Sequence, residues 1–238
     1  MAIGFANSQV HWDAMIHYHG TPISPRKYLL EMKGKHFCVS HAHPYDLETV
    51  LEIGQSVMFD NGAFSVYTKG KAFNETKYYE WVNEYLCHPH WAIIPDVIDG
   101  DISQQKELIK KWKFPKELSA PVFHLHLDLS WLKELASEFP KICLGSSGMY
   151  WKVGTLSWVR RMDSIFEMLS KHFRYLPWVH GLRMLSISES RYPLASVDSA
   201  NVGRNFKDLK VHPEVMATRI DSKQNPLRYV PNPQMEIL

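Results

Sequence analysis

The sequence has few cysteines and no long apolar run. Its three cysteines, Cys38, Cys87 and Cys143, are widely spaced and form no CxxC pair. This argues against a disulfide scaffold and a cysteine-rich structural zinc site, and it fits a reducing compartment. No apolar run approaches the roughly 18 residues that cross a membrane, and "MAIGFANSQVHWDAM" lacks the basic-then-apolar pattern of a signal peptide. We therefore expect a soluble, cytoplasmic protein with no membrane partner.

The chain also lacks a strong charge of either sign. Lys and Arg number 27 and Asp and Glu 25, for a net charge of +2, so any site for a polyanion would have to be a local basic patch. There are no internal repeats and no low-complexity tract. With 238 residues, 45% of them hydrophobic, one sizeable core and one domain are expected.

What the sequence does contain is an alternation of short apolar runs with longer amphipathic segments. Such alternation predicts a parallel sheet covered by helices. A length near the ~250 residues typical of closed (β/α)8 barrels favours that fold, with a doubly wound sheet as the alternative. The candidate strands are 35–42, 56–64, 91–98, 120–127, 141–147, 178–185 and 193–199, with a weaker one at 1–8, and the candidate helices are 74–86, 102–112, 129–139 and 156–173.

The last part of the chain differs from the rest. Residues 207–238 contain four prolines and no convincing period. We therefore expect a barrel over residues 1–206, followed by a C-terminal tail that packs on the barrel or is partly ordered.

Polar residues occur at the ends of nearly all the candidate strands. In parallel α/β folds the carboxyl ends of the strands form the active-site rim. A single Asp there could merely cap the next helix, but this many polar strand ends predict an active site. They are Ser40, His41 and His43; Asp60 and Asn61; Asp96; His124 and His126; Gly145, Ser146 and Ser147; His180; and Asp198.

Two chemistries fit these residues. In the first, histidines and a carboxylate bind zinc or a similar ion that activates water, as in amidohydrolase barrels. Its ligands would come from His41, His43, His180 and Asp198, with His124 and His126 as further histidines. The alternative for His124 and His126 is that they share one face of a strand and fill the barrel interior.

The second chemistry uses three carboxylates and no metal or other cofactor. Asp60, Asp96 and Asp198 follow different strands and could converge on one pocket. One carboxylate could attack an acetal-like carbon, another could act as general acid or base, and the third could accept hydrogen bonds from a heterocycle. This equipment suits cleavage of a glycosidic bond, including the bond between a nucleobase and its sugar. A barrel that only binds nucleic acid or another partner is a third, non-enzymatic alternative.

Five segments, in order from about residue 36 to 206, resemble motifs of the tRNA-guanine transglycosylases. "FDNGAFS" resembles their Asp-Ser-Gly-Gly-Phe-Gln segment, and "SVDSANVGRN" resembles the loop that holds their nucleophile. The variants are most similar to the short phage and genomic-island relatives, which include enzymes that place 7-deazaguanines in DNA. The segments are "FDNGAFS" (59–65), "IIPDV" (93–97), "CLGSSGMYWKVG" (143–154), "VHGLRML" (179–185) and "SVDSANVGRN" (196–205).

The resemblance implies a (β/α)8 barrel and a role for each matching residue. Asp198 would attack C1′ of the sugar, Asp60 would be the general acid/base, and Asp96 would accept hydrogen bonds from the base edge. The base, flipped from its stack, would lie in a pocket of base-binding residues, and basic or polar residues would hold the backbone. The other base-binding residues would be Phe64, Asn61, Gly145, Ser146, His124, His126 and His180, and the backbone residues Arg204, Asn205, Arg183 and Lys152, with Arg160 and Arg161 as further candidates or as part of a solvated helix face.

The sequence departs from this family in four places. Nothing matches its Cys-x-Cys-x-x-Cys…His zinc subdomain, and no Pro-Thr-Arg run separates Asp198 from Gly203. His124-Leu-His126 replaces a Gln-Gly pair, and Gly145-Ser146-Ser147 replaces the base-reading glycines. The missing zinc subdomain and the similarity to the short phage relatives lead us to expect DNA rather than transfer RNA as the partner. The enzyme would be either a glycosylase that uses water or a transglycosylase that takes a free modified base as second substrate, and base exchange in transfer RNA is the alternative. The biological role would be DNA modification or defence against foreign DNA.

Overall fold

The structure, a computed structural model, describes residues 14–70 and 73–231. Within them the chain forms one parallel sheet in the order β5-β4-β3-β2-β1-β9-β8-β7-β6. The strands are β1 Ile16–Gly20, β2 His36–Ser40, β3 Ser56–Asp60, β4 Trp91–Ile93, β5 Ser119–Ala120, β6 Val122–His124, β7 Lys141–Gly145, β8 Trp178–Gly181 and β9 Ser196–Ser199.

The barrel is interrupted only at Pro121, among the described residues. β5 pairs with β4 on one side, and β6 pairs with β7 on the other. Proline has no N–H to donate to a neighbouring strand, but its carbonyl accepts from Cys143 N at 2.9 Å. β5 and β6 thus occupy one strand position, and the sheet has the eight positions of a (β/α)8 barrel. The predicted fold class is confirmed.

Nine α-helices lie between or after the strands in the described part of the chain. The four helices predicted from apolar periodicity are present within one or two residues of their predicted ends. Asn74 caps its helix as predicted, because its side chain accepts from Lys77 N at 3.0 Å. The helices are α1 Arg26–Leu30, α2 Leu47–Ile53, α3 Ala63–Thr68, α4 Glu75–Tyr85, α5 Ile102–Lys111, α6 Leu129–Glu138, α7 Leu156–His172, α8 Asn201–Leu209 and α9 Pro213–Asp221.

Alternation along the strands divides the core into an inner and an outer layer. Inward-facing side chains fill the barrel, and outward-facing side chains pack under the helices. Phe59 packs under α4 with Tyr78 and Val82, for example, whereas the neighbouring Met58 belongs to the interior. The interior cluster contains Tyr18, Cys38, Met58, Trp91, Ile93, Ala120, Val122 and Cys143.

The structure differs from the sequence-based expectations at both ends of the chain. The strand β1 was not predicted, and the weak candidate strand at 1–8 lies outside the described residues. The helix α8 runs across the proposed boundary after residue 206, and α9 forms within the predicted tail. Residues 182–195, all of them described, connect β8 to β9 through a short 3-10 turn, Leu185–Ile187, and contain no α-helix.

No helix in the described ranges is long and apolar enough to cross a membrane. The three cysteines are unpaired, with Cys38 and Cys143 buried and Cys87 exposed.

Candidate active site at the barrel mouth

Asp198 faces inward near the end of β9, and one of its oxygens is held by two neighbours on the β8 side. Its Oδ1 accepts from Arg183 N at 2.7 Å and lies 3.2 Å from His180 Nε2. Arg183 adopts a left-handed backbone conformation, with φ of 57°, that only a few per cent of non-glycine residues adopt. The carboxylate is therefore oriented by the backbone and by a buried imidazole.

Asp60 ends β3 on the same rim and interacts electrostatically with Asp198. Burial raises the pKa of the Asp60 carboxyl, and the negative charge of Asp198 raises it as well. The Ser40 hydroxyl, the Gly62 N–H and the Arg183 charge lower it in part. Because a raised pKa favours the protonated form, Asp60 is suited to donate a proton.

Asp96 is already bonded to two side chains. Its Oδ1 accepts from Asn61 Nδ2 at 2.7 Å, and its Oδ2 lies 2.9 Å from His124 Nε2. Asn61 Nδ2 also donates to the Ile94 carbonyl at 3.1 Å. A base edge could therefore use only the remaining lone pairs of Asp96.

His124 lies against a glycine. A Cβ at position 145 would lie 3.3 Å from His124 Nδ1 and 3.2 Å from Val122 Cγ1, so Gly145 leaves the space that the imidazole fills. The Nδ1 atom is buried and has no hydrogen-bond partner among the described residues. His124 therefore fills space in the barrel interior, which is one of the two alternatives that the sequence left open for it.

His126, Ser146 and Ser147 connect rim loops to one another. His126 Nδ1 lies 2.8 Å from Ser147 Oγ, and its Nε2 lies 3.3 Å from the Gly100 carbonyl. Ser146 Oγ accepts from Trp158 Nε1 of α7 at 3.0 Å. These contacts fix the loops after β4, β6 and β7, and they use polar atoms that were predicted to bind a base.

Phe64 and Arg183 meet across the mouth of the barrel. The Arg183 guanidinium carbon lies 3.6 Å from the centroid of the Phe64 ring, which is 46% exposed. Phe64 follows β3 and Arg183 follows β8, and the order of the strands puts four of the eight steps between them. The pair therefore spans the opening from opposite sides, with a cation–π contact.

The other predicted backbone-binding residues lie on α8, on α7 and in the turn before α7. Arg204 is exposed on α8, whose buried side chains are Val202 and Phe206, and Asn205 is half-buried beside it. In the described ranges the Arg204 side chain has no ion-pair partner. Lys152 is exposed in the turn between β7 and α7, and Arg160 is exposed on α7.

Arg161 has a structural role. Its Nε donates to the Leu125 carbonyl at 2.8 Å, and its Nη2 donates to the Leu127 carbonyl. The guanidinium therefore holds the segment that joins β6 to α6.

The structure brings together only part of the proposed metal site: His180 and Asp198 lie 3.2 Å apart, but His41 does not join them. His41 packs beside α4, with ring centroids 5.5 Å from Tyr78 and 5.4 Å from Trp81, whereas His180 lies inside the barrel. No group of three or more His, Cys, Asp or Glu side chains that could hold a metal ion occurs in the described part of the chain.

Two residues behind Asp198 were missed by sequence reasoning. Ser196 and Trp178 extend the hydrogen-bonded chain that starts at His180 and Asp198. Both lie two positions before a predicted site residue on the same strand, so strand alternation places each on the same face as that residue. That alternation was the signal that could have identified them.

The fold and the site define a parallel α/β barrel whose mouth is lined by carboxylates and histidines. Comparison of the chain with protein-family models, curated proteins and solved structures finds no match.

Proposed function

We propose that the protein cleaves the N-glycosidic bond of a base in DNA, with Asp198 as nucleophile and Asp60 as general acid. The observation that carries this proposal is that two neighbouring carboxyls, Asp198 and Asp60, lie in different environments. Asp198 Oδ1 accepts the Arg183 N–H at 2.7 Å, and this hydrogen bond orients the carboxyl. Burial and the Asp198 charge raise the pKa of Asp60, which favours its protonated form. A pair of carboxyls whose environments differ in this way supplies a nucleophile and an acid.

The reaction has two halves. In the first, Asp198 Oδ2 forms a bond to C1′ as the bond from C1′ to the base nitrogen breaks, and the leaving base takes its proton from Asp60. In the second, water or a new base attacks C1′, Asp60 takes the proton of the attacking group, and Asp198 is released. Water leaves an abasic site, whereas a base completes an exchange.

The order of five segments that resemble the tRNA-guanine transglycosylases supports this proposal, and the likeness to the short relatives favours DNA over transfer RNA. That likeness also favours a 7-deazaguanine as the base removed or inserted, in DNA modification or in defence against foreign DNA. Phe64 is the flat surface on which the flipped base would stack.

Covalent capture tests the proposal. Wild-type protein is incubated with DNA oligonucleotides containing guanine or a 7-deazaguanine, with and without free base, and the products are resolved on denaturing gels and by mass spectrometry. We expect a protein–DNA adduct that Asp198→Ala abolishes. The matched control is Asp101→Asn, which changes another rim carboxylate but retains a helix-capping side chain.

The products distinguish the two variants of the reaction. An abasic product without added base indicates hydrolysis, and incorporation that depends on added base indicates exchange. Absence of an adduct, of exchange and of strand scission with wild-type protein would overturn the proposal. Activity on transfer RNA but not on DNA would show that the proposed substrate is wrong.

A further inference from the structure

We infer that His180 is a positioning residue for Asp198, fixed in one tautomer by a hydrogen-bonded chain that starts at Trp178. The inference rests on the proposed function, because it names Asp198 as the nucleophile. The chain runs from the Trp178 indole to Ser196, then to His180 and to Asp198. It lies within the paired strands β8 and β9, where His180 is opposite Ser196.

The chemistry of the groups sets the direction of this chain. An indole N–H can only donate, so Trp178 Nε1 donates to Ser196 Oγ at 2.8 Å. The indole occupies one lone pair of Ser196 Oγ and leaves the hydroxyl proton for another acceptor, and His180 Nδ1 lies 2.8 Å away. In this arrangement Nδ1 is the acceptor, and the imidazole proton is on Nε2.

The same tautomer suits the other end of the ring. His180 Nε2 lies 3.2 Å from Asp198 Oδ1, and an N–H there donates to the carboxylate. The opposite tautomer would direct a nitrogen lone pair at a negatively charged oxygen. Both hydrogen bonds of the imidazole thus require the proton on Nε2.

Burial of His180 and Ser196 excludes direct contact between these side chains and a substrate. His180 and Ser196 are 0% exposed, so neither reaches a base or a sugar. The His180 ring packs against two aromatic side chains, with centroids 6.0 Å from Tyr18 and 5.2 Å from Trp91. The imidazole can therefore act only through Asp198.

As a result, Asp198 has one carboxylate oxygen that is hydrogen-bonded to the protein and one that is available to a substrate. Oδ1 accepts from Arg183 N at 2.7 Å and from His180, whereas Oδ2 has no hydrogen-bond partner among the described residues. Two donors on one oxygen fix the rotation of the carboxylate. The other oxygen is the one that attacks C1′, and its direction depends on His180.

Nitrogen NMR of histidine-labelled protein tests the tautomer without any substrate. We expect the Nε2–H form for His180 in wild type and a larger share of the Nδ1–H form in Ser196→Ala, where only Asp198 still favours the proton on Nε2. The matched control is Ser188→Ala, which breaks a similar contact of 3.1 Å between Ser188 Oγ and His17 Nε2 on the outer face of β1. A wild-type His180 that carries its proton on Nδ1, or on both nitrogens, would overturn the inference.

Single-turnover formation of the covalent adduct tests the positioning role. His180→Leu removes the donor, and we expect adduct formation to slow by about 10²-fold, as misplacement of a reacting group does, with little change in DNA affinity. His180→Gln, which offers an amide N–H to Asp198, should recover most of the rate. Wild-type rates in His180→Leu would refute the positioning role.

Thermal unfolding of both variants, followed by circular dichroism, shows whether the folded barrel is retained. If His180→Leu does not fold, the comparison of His180→Gln with Ser196→Ala decides, because Ser196→Ala should slow the reaction more than His180→Gln does. The two proposals fail in distinguishable ways. A wild-type protein that forms no adduct defeats the glycosidic function, whereas an incorrect tautomer defeats the role of His180 alone.

Discussion

Asp60 and Arg183 are linked by charge at the mouth of the barrel. The Arg183 charge lowers the pKa of Asp60, opposing the larger effect of burial. Replacing Arg183 by Gln removes this opposition and should raise the pKa of Asp60. A general acid is active while it is protonated, so the rate of base release should persist to higher pH in the variant than in wild type.

Carbon NMR titration of the Asp60 carboxyl checks the shift directly, and single-turnover rates at saturating DNA check its effect on the reaction. Arg204→Gln is the matched control, because Arg204 is an exposed arginine on the helix that follows Asp198. A titration of Asp60 that stays in place or moves to lower pH in Arg183→Gln would contradict this explanation.

The close packing of Val122 and His124 against Gly145 leads to a second prediction. A Cβ there would lie 3.2 Å from Val122 Cγ1 and 3.3 Å from His124 Nδ1, closer than the ordinary contact of about 3.5–4.0 Å between carbon atoms. Gly145→Ala should therefore displace His124 from Asp96 and weaken base binding with less effect on stability than a large core substitution. The measurement is base affinity by calorimetry, with Ser164→Ala on the exposed face of α7 as control. Unchanged affinity in Gly145→Ala would show that the pocket does not depend on His124.

Sequence could identify the carboxylates of the site but not their partners. Asp60, Asp96 and Asp198 each follow an apolar run, so the rule for parallel sheets was enough to place them on one rim. The contact of Phe64 with Arg183 depends on which strands face each other across a closed barrel. The bonds of Asp96 to Asn61 and His124 depend on side-chain rotamers, which no spacing in the sequence gives.

At the scale of elements, β1 and α9 depend on each other through a buried polar cluster. Asp221 of α9 lies 3.0 Å from His19 Nε2 of β1 and accepts from Lys35 Nζ at 2.8 Å. His17 lies beside them, with its Nε2 3.1 Å from Ser188 Oγ. These polar contacts explain why both elements escaped prediction: "IHYHG" alternates histidine with apolar residues outside any apolar run, and the buried side chains of α9 are Pro213, Met216 and Ala217.

His17 makes the junction of β1 and α9 sensitive to acid. Burial lowers the pKa of His17 to about 4, with Asp221 opposing and His19 and Lys223 adding to the effect. The unfolded chain binds a proton near the ordinary pKa of about 6.5, so it holds more protons than the folded protein between these values. Stability should therefore fall as the pH drops from about 6.5 toward 4, by up to about 3 kcal/mol from this residue.

Urea unfolding at pH 7.5 and pH 5 measures this loss. His17→Leu should reduce the difference in unfolding free energy between the two pH values, since the variant has no proton to gain. His172→Gln changes an exposed histidine at the end of α7 and should leave the difference as in wild type. Equal pH dependence in wild type and His17→Leu would assign the acid sensitivity to other groups.

At the scale of the whole molecule, apolar periodicity was sufficient for the fold because each barrel strand hides one face under a helix and the other in the interior. Phe37, Val57 and Phe123 face outward, and Cys38, Met58 and Val122 face inward. Strands buried on both faces produce continuous apolar runs, so seven of them were recognised. The closure between β1 and β9 was not visible in this way, since it required the strand that was missed.

The barrel carries exposed aromatic and other large apolar side chains around its mouth. Tyr45 follows β2, Tyr67 follows β3, and Met149 and Trp151 follow β7, the last being 70% exposed. Unpaired bases stack on such side chains, which contribute about 1–3 kcal/mol per base. If the protein acts on a flipped base, these residues are placed to receive its unpaired neighbours. Binding should therefore favour single-stranded over double-stranded DNA.

The substitution Trp151→Ala tests this expectation. It should weaken the binding of single-stranded DNA about 5- to 150-fold, the range that corresponds to the loss of one stacked base. Its matched control is Tyr175→Ala, because Tyr175 is 41% exposed but precedes β8 and so lies at the opposite end of the barrel. Fluorescence anisotropy with a labelled oligonucleotide, single-stranded or annealed to its complement, measures both variants. Equal affinities of wild type and Trp151→Ala for the single strand would exclude the aromatic mouth as the DNA-binding surface. A stronger effect of Tyr175→Ala would place that surface at the other end, away from Asp60 and Asp198, and would separate DNA binding from the candidate active site.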